Sequence, residues 1–396
     1  MGNNGRRLVV IPSDPISSYE QAGYASRLRN RYNPQKMFAE VFAVSPLEKG
    51  ERRAHGITIL GTPEGEFLRV LRNIQPHVVR AFGGLWPARL ACRYRLPGVP
   101  VVVSVHDTNP SLLHKSVRYA DLVICVSNAV KKLVKDRGTD PRRLRTLPNW
   151  IDTRVFRRIT DEMPLQSVDC LFPPGKHILH IGRKAQEKNL DTLIQALKFL
   201  TPEYSCIFIG AGDRSPYVSF AEEAGVSERC FWVDWVENTE LPLWYSWCDC
   251  MCVPSRWEGF GIVFIEAAAC GVPIVTSNIA PMNEYLTHNR SACLVNEYEN
   301  PQALAKAISK VCEDQPYRDR ISAGAAIAAQ PFDWRIVHQT EAAIYSEAMN
   351  LGPPSFTRRL EVSTWKLRET VAATIREFLL VRVARTVTRQ FNLTRR

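Results

Sequence analysis

Two series of short, uninterrupted apolar runs, each interleaved with stretches of helical periodicity, constrain this chain more than any other feature. In the first half the runs are Leu8–Ile11, His77–Phe82, Pro100–Val105 and Leu122–Val126, with helix-like stretches such as Glu64–Ile74 and Asn128–Asp136. In the second they are His177–Ile181, Cys206–Ile209, Met251–Val253 and Pro273–Thr276, with helical stretches at Leu190–Phe199, Pro216–Ala224, Gly261–Ala269 and Pro301–Glu313. A strand that is apolar at every position is buried on both faces, and helices between such strands supply the cover. The pattern therefore predicts α/β architecture with doubly wound parallel sheets. Two series predict two Rossmann-like domains, 1–160 and 161–350, which the length of 396 residues accommodates. The join is expected near Arg157–Gly175, a polar stretch containing Pro164, Pro173 and Pro174.

Open sheets of this kind bind ligands beyond the carboxyl ends of their strands. His106 and Asp107 follow one such end; Gly182, Arg183 and Lys188 follow another; Pro254, Ser255 and Glu258 follow a third. Polar groups at strand ends in both halves predict one cleft between the domains.

The segment from Pro254 to Gly261, continuing to Glu266, is the most specific. Gly259 and Gly261 let the backbone approach a ligand, and the helix expected there turns its N-terminus toward an anion. Glu258 and Glu266 stand eight residues apart, a spacing that places both along one side of a helix, where carboxylates accept hydrogen bonds from sugar hydroxyls. Arg183 and Lys188, five residues apart after a strand, suit a diphosphate, Arg as a fork and Lys as a point charge. Solvated surface cations and an ordinary helix start are the alternatives. Gly210-Ala211-Gly212 is a fragment of a dinucleotide fingerprint, and its incompleteness opposes a nicotinamide-dependent oxidoreductase.

These segments resemble the retaining glycosyltransferases of family 4, which have the two-domain GT-B fold. Glu258 and Glu266 match that family's E-x7-E motif within a longer match from Pro254 to Thr276; Gly182-Arg183 to Lys188-Asn189 matches its G-R…E-K-N strand end. Ile209–Gly212, Cys125-Val126-Ser127 and Leu147–Asp152 match further strand ends and turns. The resemblance implies a GT-B fold whose domains face an interdomain cleft, the first holding the acceptor and the second the nucleotide sugar. It implies donor binding by Gly182, Arg183, Lys188, Gly259, Phe260, Gly261 and Glu266, and catalytic roles for His106 near the reacting centre and Glu258 on the transferred sugar. It implies transfer with retention and without metal or cofactor, the nucleotide sugar being a substrate. Three positions depart from the pattern: Asp234 and Trp150 stand where glycine is usual, and Ser17–Gly23 contains Gly23 as its one glycine. A noncatalytic nucleotide-binding or scaffold subunit is the alternative reading.

Charge is distributed unevenly. Residues 1–160 carry 27 Lys/Arg against 12 Asp/Glu, residues 161–355 carry 14 against 25, and residues 356–396 carry 10 against 3. In the last segment Val371, Ile375, Phe378, Leu379, Val383, Val387 and Phe391 recur at helical spacing beside Arg376, Arg382, Arg385 and Arg389, with Trp365 ahead of them. A basic amphipathic helix with such a stripe suits a membrane interface; packing on the protein or a dimer contact is the alternative. No apolar run approaches the roughly 20 residues that span a bilayer. Met1–Pro12 has too few consecutive apolar residues for a secretory h-region. Together these predict a cytoplasmic protein, peripheral on the inner face of a membrane. The expected partners are a nucleotide-sugar donor, a lipid-linked or glycan acceptor and an anionic membrane surface, with no nucleic acid. Cys248, Cys250 and Cys252 share one face of a strand and read as core rather than metal ligands.

Overall fold

The computed structural model describes residues 5–21, 28–352 and 355–371. Two sheets organise it. The first runs through β1 (Arg7–Ile11), β2 (Glu40–Ser45), β3 (Glu51–Ala54), β4 (Ile57–Gly61), β5 (Val78–Phe82), β6 (Val101–Val105), β7 (Leu122–Cys125) and β8 (Leu144–Thr146), in the order β3-β4-β2-β1-β5-β6-β7-β8. The second has β9 (Lys176–Ile181), β10 (Tyr204–Ile209), β11 (Cys230–Val233), β12 (Cys250–Val253), β13 (Ile274–Ser277) and β14 (Cys293–Val295), in the order β11-β10-β9-β12-β13-β14. Every pairing is parallel except β3 with β4, an antiparallel edge. Central strands such as Val101–Val105 are buried at every residue, as their continuous apolar character requires.

Both sheets reverse their strand order once, between β1 and β5 in the first and between β9 and β12 in the second. A crevice opens at such a reversal because the connections on its two sides leave in opposite directions. The loops after β1, β5, β9 and β12 therefore face one space.

After Phe332 the chain returns to the first sheet. Ile151 N–H donates to Phe332 O and Trp334 N–H to Ile151 O. The Trp334–Asn350 helix then buries Val337, Ile344 and Tyr345 in the same core as Leu8, Val10, Val78, Val102 and Ile124. Cys250 and Cys252 lie in the core of the second sheet, where contact with the Cys312 thiol and then burial push the Cys250 thiol up and burial pushes up that of Cys252, so both stay protonated. The polar stretch around Pro164 holds a short helix, Glu162–Asp169, ahead of β9.

Residues 350–396 form a separate unit. It is helical over 356–371, which includes Trp365 and Val371. The stripe from Ile375 to Phe391, with its arginines, lies outside the described residues, as does Gly23. Among the described residues no helix is long and apolar enough to cross a membrane.

Candidate functional site

A cleft of about 840 Å³ opens between the two sheets, lined by strand-end residues from both. From the second half it receives Lys188, Asn238, Glu258, Gly259, Phe260, Gly261 and Glu266; from the first, His106 and Asp107, with Arg80 deeper in.

Lys188 and Glu258 reach each other across the reversal point of the second sheet, one from the loop after β9 and the other from the loop after β12. Lys188 Nζ lies 2.5 Å from Glu258 Oε1, which also accepts from Ser255 Oγ at 2.8 Å. Gly182 leaves room beside the Lys188 stem: a Cβ there would sit 3.3 Å from Lys188 Cδ and Cε, a tight contact. Gly182 itself is outside the cleft lining.

Glu258 precedes the helix rather than sharing its side with Glu266, as the eight-residue spacing had predicted. The Ile262–Ala269 helix starts only after Gly261, whose φ of +77° turns the chain into it. Glu266 lies within that helix, 4% exposed, accepting from Asn238 Nδ2 at 3.3 Å and Tyr245 Oη at 3.1 Å.

Arg183 stands apart from this group. Its side chain is 75% exposed and pairs with Glu187 at 2.6 Å, and it does not line the cleft. Of the two cations five residues apart, only Lys188 is in the cleft in this conformation.

The first half contributes His106. Ser104 Oγ donates to Ala81 O, so it can only accept from His106 Nε2, 2.8 Å away; the ring is then the Nε2–H tautomer with Nδ1 as the acceptor. Burial, with Arg31 and Arg80 nearby, lowers the His106 pKa to about 3, so the imidazole is neutral at physiological pH.

The halves touch through backbone. A Cβ on Gly259 would fall 1.9 Å from His106 O, so glycine is the one residue that admits this approach. Around it, Thr108 Oγ1 donates to Glu258 O at 3.1 Å and Ser127 Oγ to Gly259 O at 2.8 Å. The Ser127 hydroxyl also accepts from Val130 N–H as the cap of the Asn128–Asp136 helix. Glu284 accepts from Asn128 N–H and Ala129 N–H at 2.7 Å each, a carboxylate at the positive end of a helix from the other half. Ser104, Asn238, Arg80 and Glu284 belong to no motif recognised in the sequence; only an Arg in the apolar run His77–Phe82 was a visible anomaly.

The departures from the family pattern also have places. Asp234 is held between Lys184 at 3.6 Å and Arg214 at 3.7 Å. Trp150 lines the cleft and packs edge-on against His338, ring centroids 4.9 Å apart. Among the described residues no group of three or more His, Cys, Asp or Glu side chains is placed to hold a metal ion.

Two family models match the chain, one to each half. "Glycosyltransferase Family 4" covers residues 24–155 and "Glycosyl transferases group 1" covers 171–327. The chain belongs to glycosyltransferase family 4. This family 4 chain is 28% identical over 242 residues to a D-inositol 3-phosphate glycosyltransferase of Xylanimonas cellulosilytica, covering 59% of this chain and 58% of that one. It is 28% identical over 245 residues to the lipopolysaccharide core biosynthesis mannosyltransferase LpsB of Rhizobium meliloti, covering 59% and 67%. The matched region thus spans little more than half of the first relative's length. Among solved structures, Anabaena HepE in complex with UDP and glucose superposes with a TM-score of 0.71 at 19% identity, over 87% of this chain and all of that one. WaaG, a glycosyltransferase involved in lipopolysaccharide biosynthesis, gives 0.65 at 16% identity, over 86% and 99%. The architecture is the GT-B fold.

Proposed function

We propose that this chain transfers a sugar from a nucleoside-diphosphate sugar to an acceptor held against the first sheet, with retention at the anomeric carbon, in the synthesis of a cell-surface glycan. The observation that carries the reading is the convergence of Lys188, Glu258 and Glu266 on one cleft whose opposite wall presents His106.

Sugar transfer develops negative charge on the departing diphosphate and positive charge on the sugar ring. Fixed dipoles and charges already aimed at those positions stabilise both without reorganising. Lys188 supplies a cation for the diphosphate, aided by the N-terminus of the Ile262–Ala269 helix. In the structure described, Glu258 holds Lys188 in place; a bound diphosphate competes for the ammonium and frees Glu258 for the transferred sugar. Glu266, oriented by Asn238 and Tyr245, holds the ribose hydroxyls. Neutral His106 offers Nδ1 to a hydroxyl near the reacting centre. Arg183 joins the diphosphate only by leaving Glu187, a rotation that its exposure permits.

The acceptor is a lipid or a lipid-linked saccharide at an anionic membrane surface on the cytoplasmic side. The basic character of residues 1–160 and 356–396, against the acidic character of 161–355, supports this orientation. Incubation of the purified chain with UDP- and GDP-sugars and lipid-extract acceptors tests the reading. Release of nucleoside diphosphate that depends on acceptor is expected; nucleotide binding without any release would favour the noncatalytic subunit.

A further inference from the structure

We propose that one face of the helix over 356–371, the row Phe356, Leu360, Leu367 and Val371, lies in the headgroup region of an anionic bilayer and holds the chain there. This rests on the reading that the acceptor sits at such a surface, and it names the side chains that meet the lipid.

The helix has two apolar faces, and they differ in cover. Ser355 starts it, its Oγ accepting from Arg358 N–H at 3.2 Å. Val362, Trp365 and Glu369 recur at helical spacing and are buried, none more than 7% exposed. Phe356, Leu360, Leu367 and Val371 fall within about 60° of one another at 3.6 residues per turn, on the opposite side. They are 49–74% exposed. Single exposed apolar side chains are ordinary; four aligned along roughly 22 Å of one helix mark an interaction surface. Trp365 belongs to the covered face, so Phe356 and the two leucines, not the tryptophan, precede Val371 on the exposed one.

The edges of the row select the partner. Arg359 and Lys366 border it on one side and Arg368 on the other; Glu361, beside Arg368, pairs with Arg358 at 3.6 Å. Such basic side chains lay their stems along an apolar surface and carry their charges to the level of lipid phosphates. Residues 356–396 hold 10 Lys/Arg against 3 Asp/Glu, the sign that an anionic leaflet attracts. A second copy of the chain fits worse. Four side chains fall far short of the roughly 20–30 residues a side of a stable protein interface, and the basic edges of two copies would meet. Among the described residues no helix is long and apolar enough to cross a membrane, so this one lies in the interface plane. The family matches end at residues 155 and 327, which makes the surface an addition to the matched fold.

Flotation of the full chain with vesicles of mixed phosphatidylglycerol and phosphatidylcholine tests this. The wild type should float with them, and less well with phosphatidylcholine alone or at high salt. Leu360→Gln combined with Leu367→Gln places good helix formers at exposed positions. It should lower the partition coefficient at least about tenfold and leave the melting temperature and nucleotide binding unchanged. Arg359→Gln with Arg368→Gln should weaken binding to the mixed vesicles only. Ile327→Gln removes an apolar side chain that is 64% exposed outside this helix, and should leave flotation at the wild-type level. Flotation unchanged by the leucine substitutions overturns the proposal, as does an equal loss from Ile327→Gln. A wild-type dimer that the leucine substitutions split, with no flotation by either form, makes the row a contact between copies and also overturns it. Flotation that depends on the leucines, without sugar transfer to any lipid acceptor, leaves the row standing and overturns the reading of the acceptor.

Discussion

In the second half of the cleft the polar side chains hold one another. Ser255 and Lys188 donate to Glu258, and Asn238 and Tyr245 donate to Glu266. In the first half they do so less completely: Arg80 keeps two unpartnered nitrogens, and His106 is held by one serine and stripped of its charge by burial. A preorganised half fits a ligand of constant shape, and an incompletely satisfied half fits one that brings its own acceptor atoms. Four measurements bear on this difference.

The largest effect belongs to Lys188. Lys188→Ala should cost about 2–4 kcal/mol of transition-state stabilisation, as loss of other preorganised charge contacts does, read as kcat/KM with any donor that turns over. Activity near wild type in the folded variant would remove the second half's claim to the diphosphate.

Gly259→Val should follow. Its side chain must displace His106 O, and forcing extra bulk into a packed contact costs roughly 1–3 kcal/mol. Because the contact joins the two halves, turnover should fall more than the melting temperature. A wild-type turnover rate would show that the halves need not approach this closely.

Acidification compares the buried histidines. His106 and His180 have pKa values lowered to about 3, chiefly by burial, against an ordinary value near 6.5. The unfolded chain therefore takes up protons that the folded one refuses. Their contribution is intact above pH 6.5 and is lost progressively as pH falls toward 3. His180→Leu removes one such group and should flatten the fall in melting temperature over that range. An unchanged acid limb would show that His180 does not titrate there.

The smallest effect is expected at Arg183. Its exposed pair with Glu187 contributes about 0–1 kcal/mol, so Arg183→Ala should leave stability unchanged. A loss of activity as large as that of Lys188→Ala would show that Arg183 swings into the cleft when donor binds.

The same contrast explains what the sequence revealed. The apolar runs placed the central strands of both sheets within a residue or two, because a strand buried on both faces has little freedom in composition. Strands Glu40–Ser45, Ile57–Gly61, Leu144–Thr146, Cys230–Val233 and Cys293–Val295, toward the sides of the sheets, were not read from the sequence, and Glu51–Ala54 escaped notice because it is a charged edge. Lys188, Glu258 and Glu266 were legible because the segments that carry them, two loops and a short helix, are short and local. Their relative placement was not, since Gly261 starts the helix three residues after Glu258. Glu284 and Asn238 lie far along the chain from the groups they hold, and nothing local marks them. Arg80 was visible only as a charge in an apolar strand, and its place beside Glu341 needed the fold.

In the function proposed, Glu266 holds the nucleoside while Glu258 serves the transferred sugar. Calorimetry of UDP and GDP binding to Glu266→Ala and Glu258→Ala tests it most directly. Glu266→Ala should weaken binding of the preferred nucleotide by about 1–3 kcal/mol, the cost of removing a buried hydrogen-bonding partner, while Glu258→Ala should bind it nearly as the wild type does and fail in turnover. Loss of nucleotide binding in Glu258→Ala, with Glu266→Ala unaffected, would contradict the assignment.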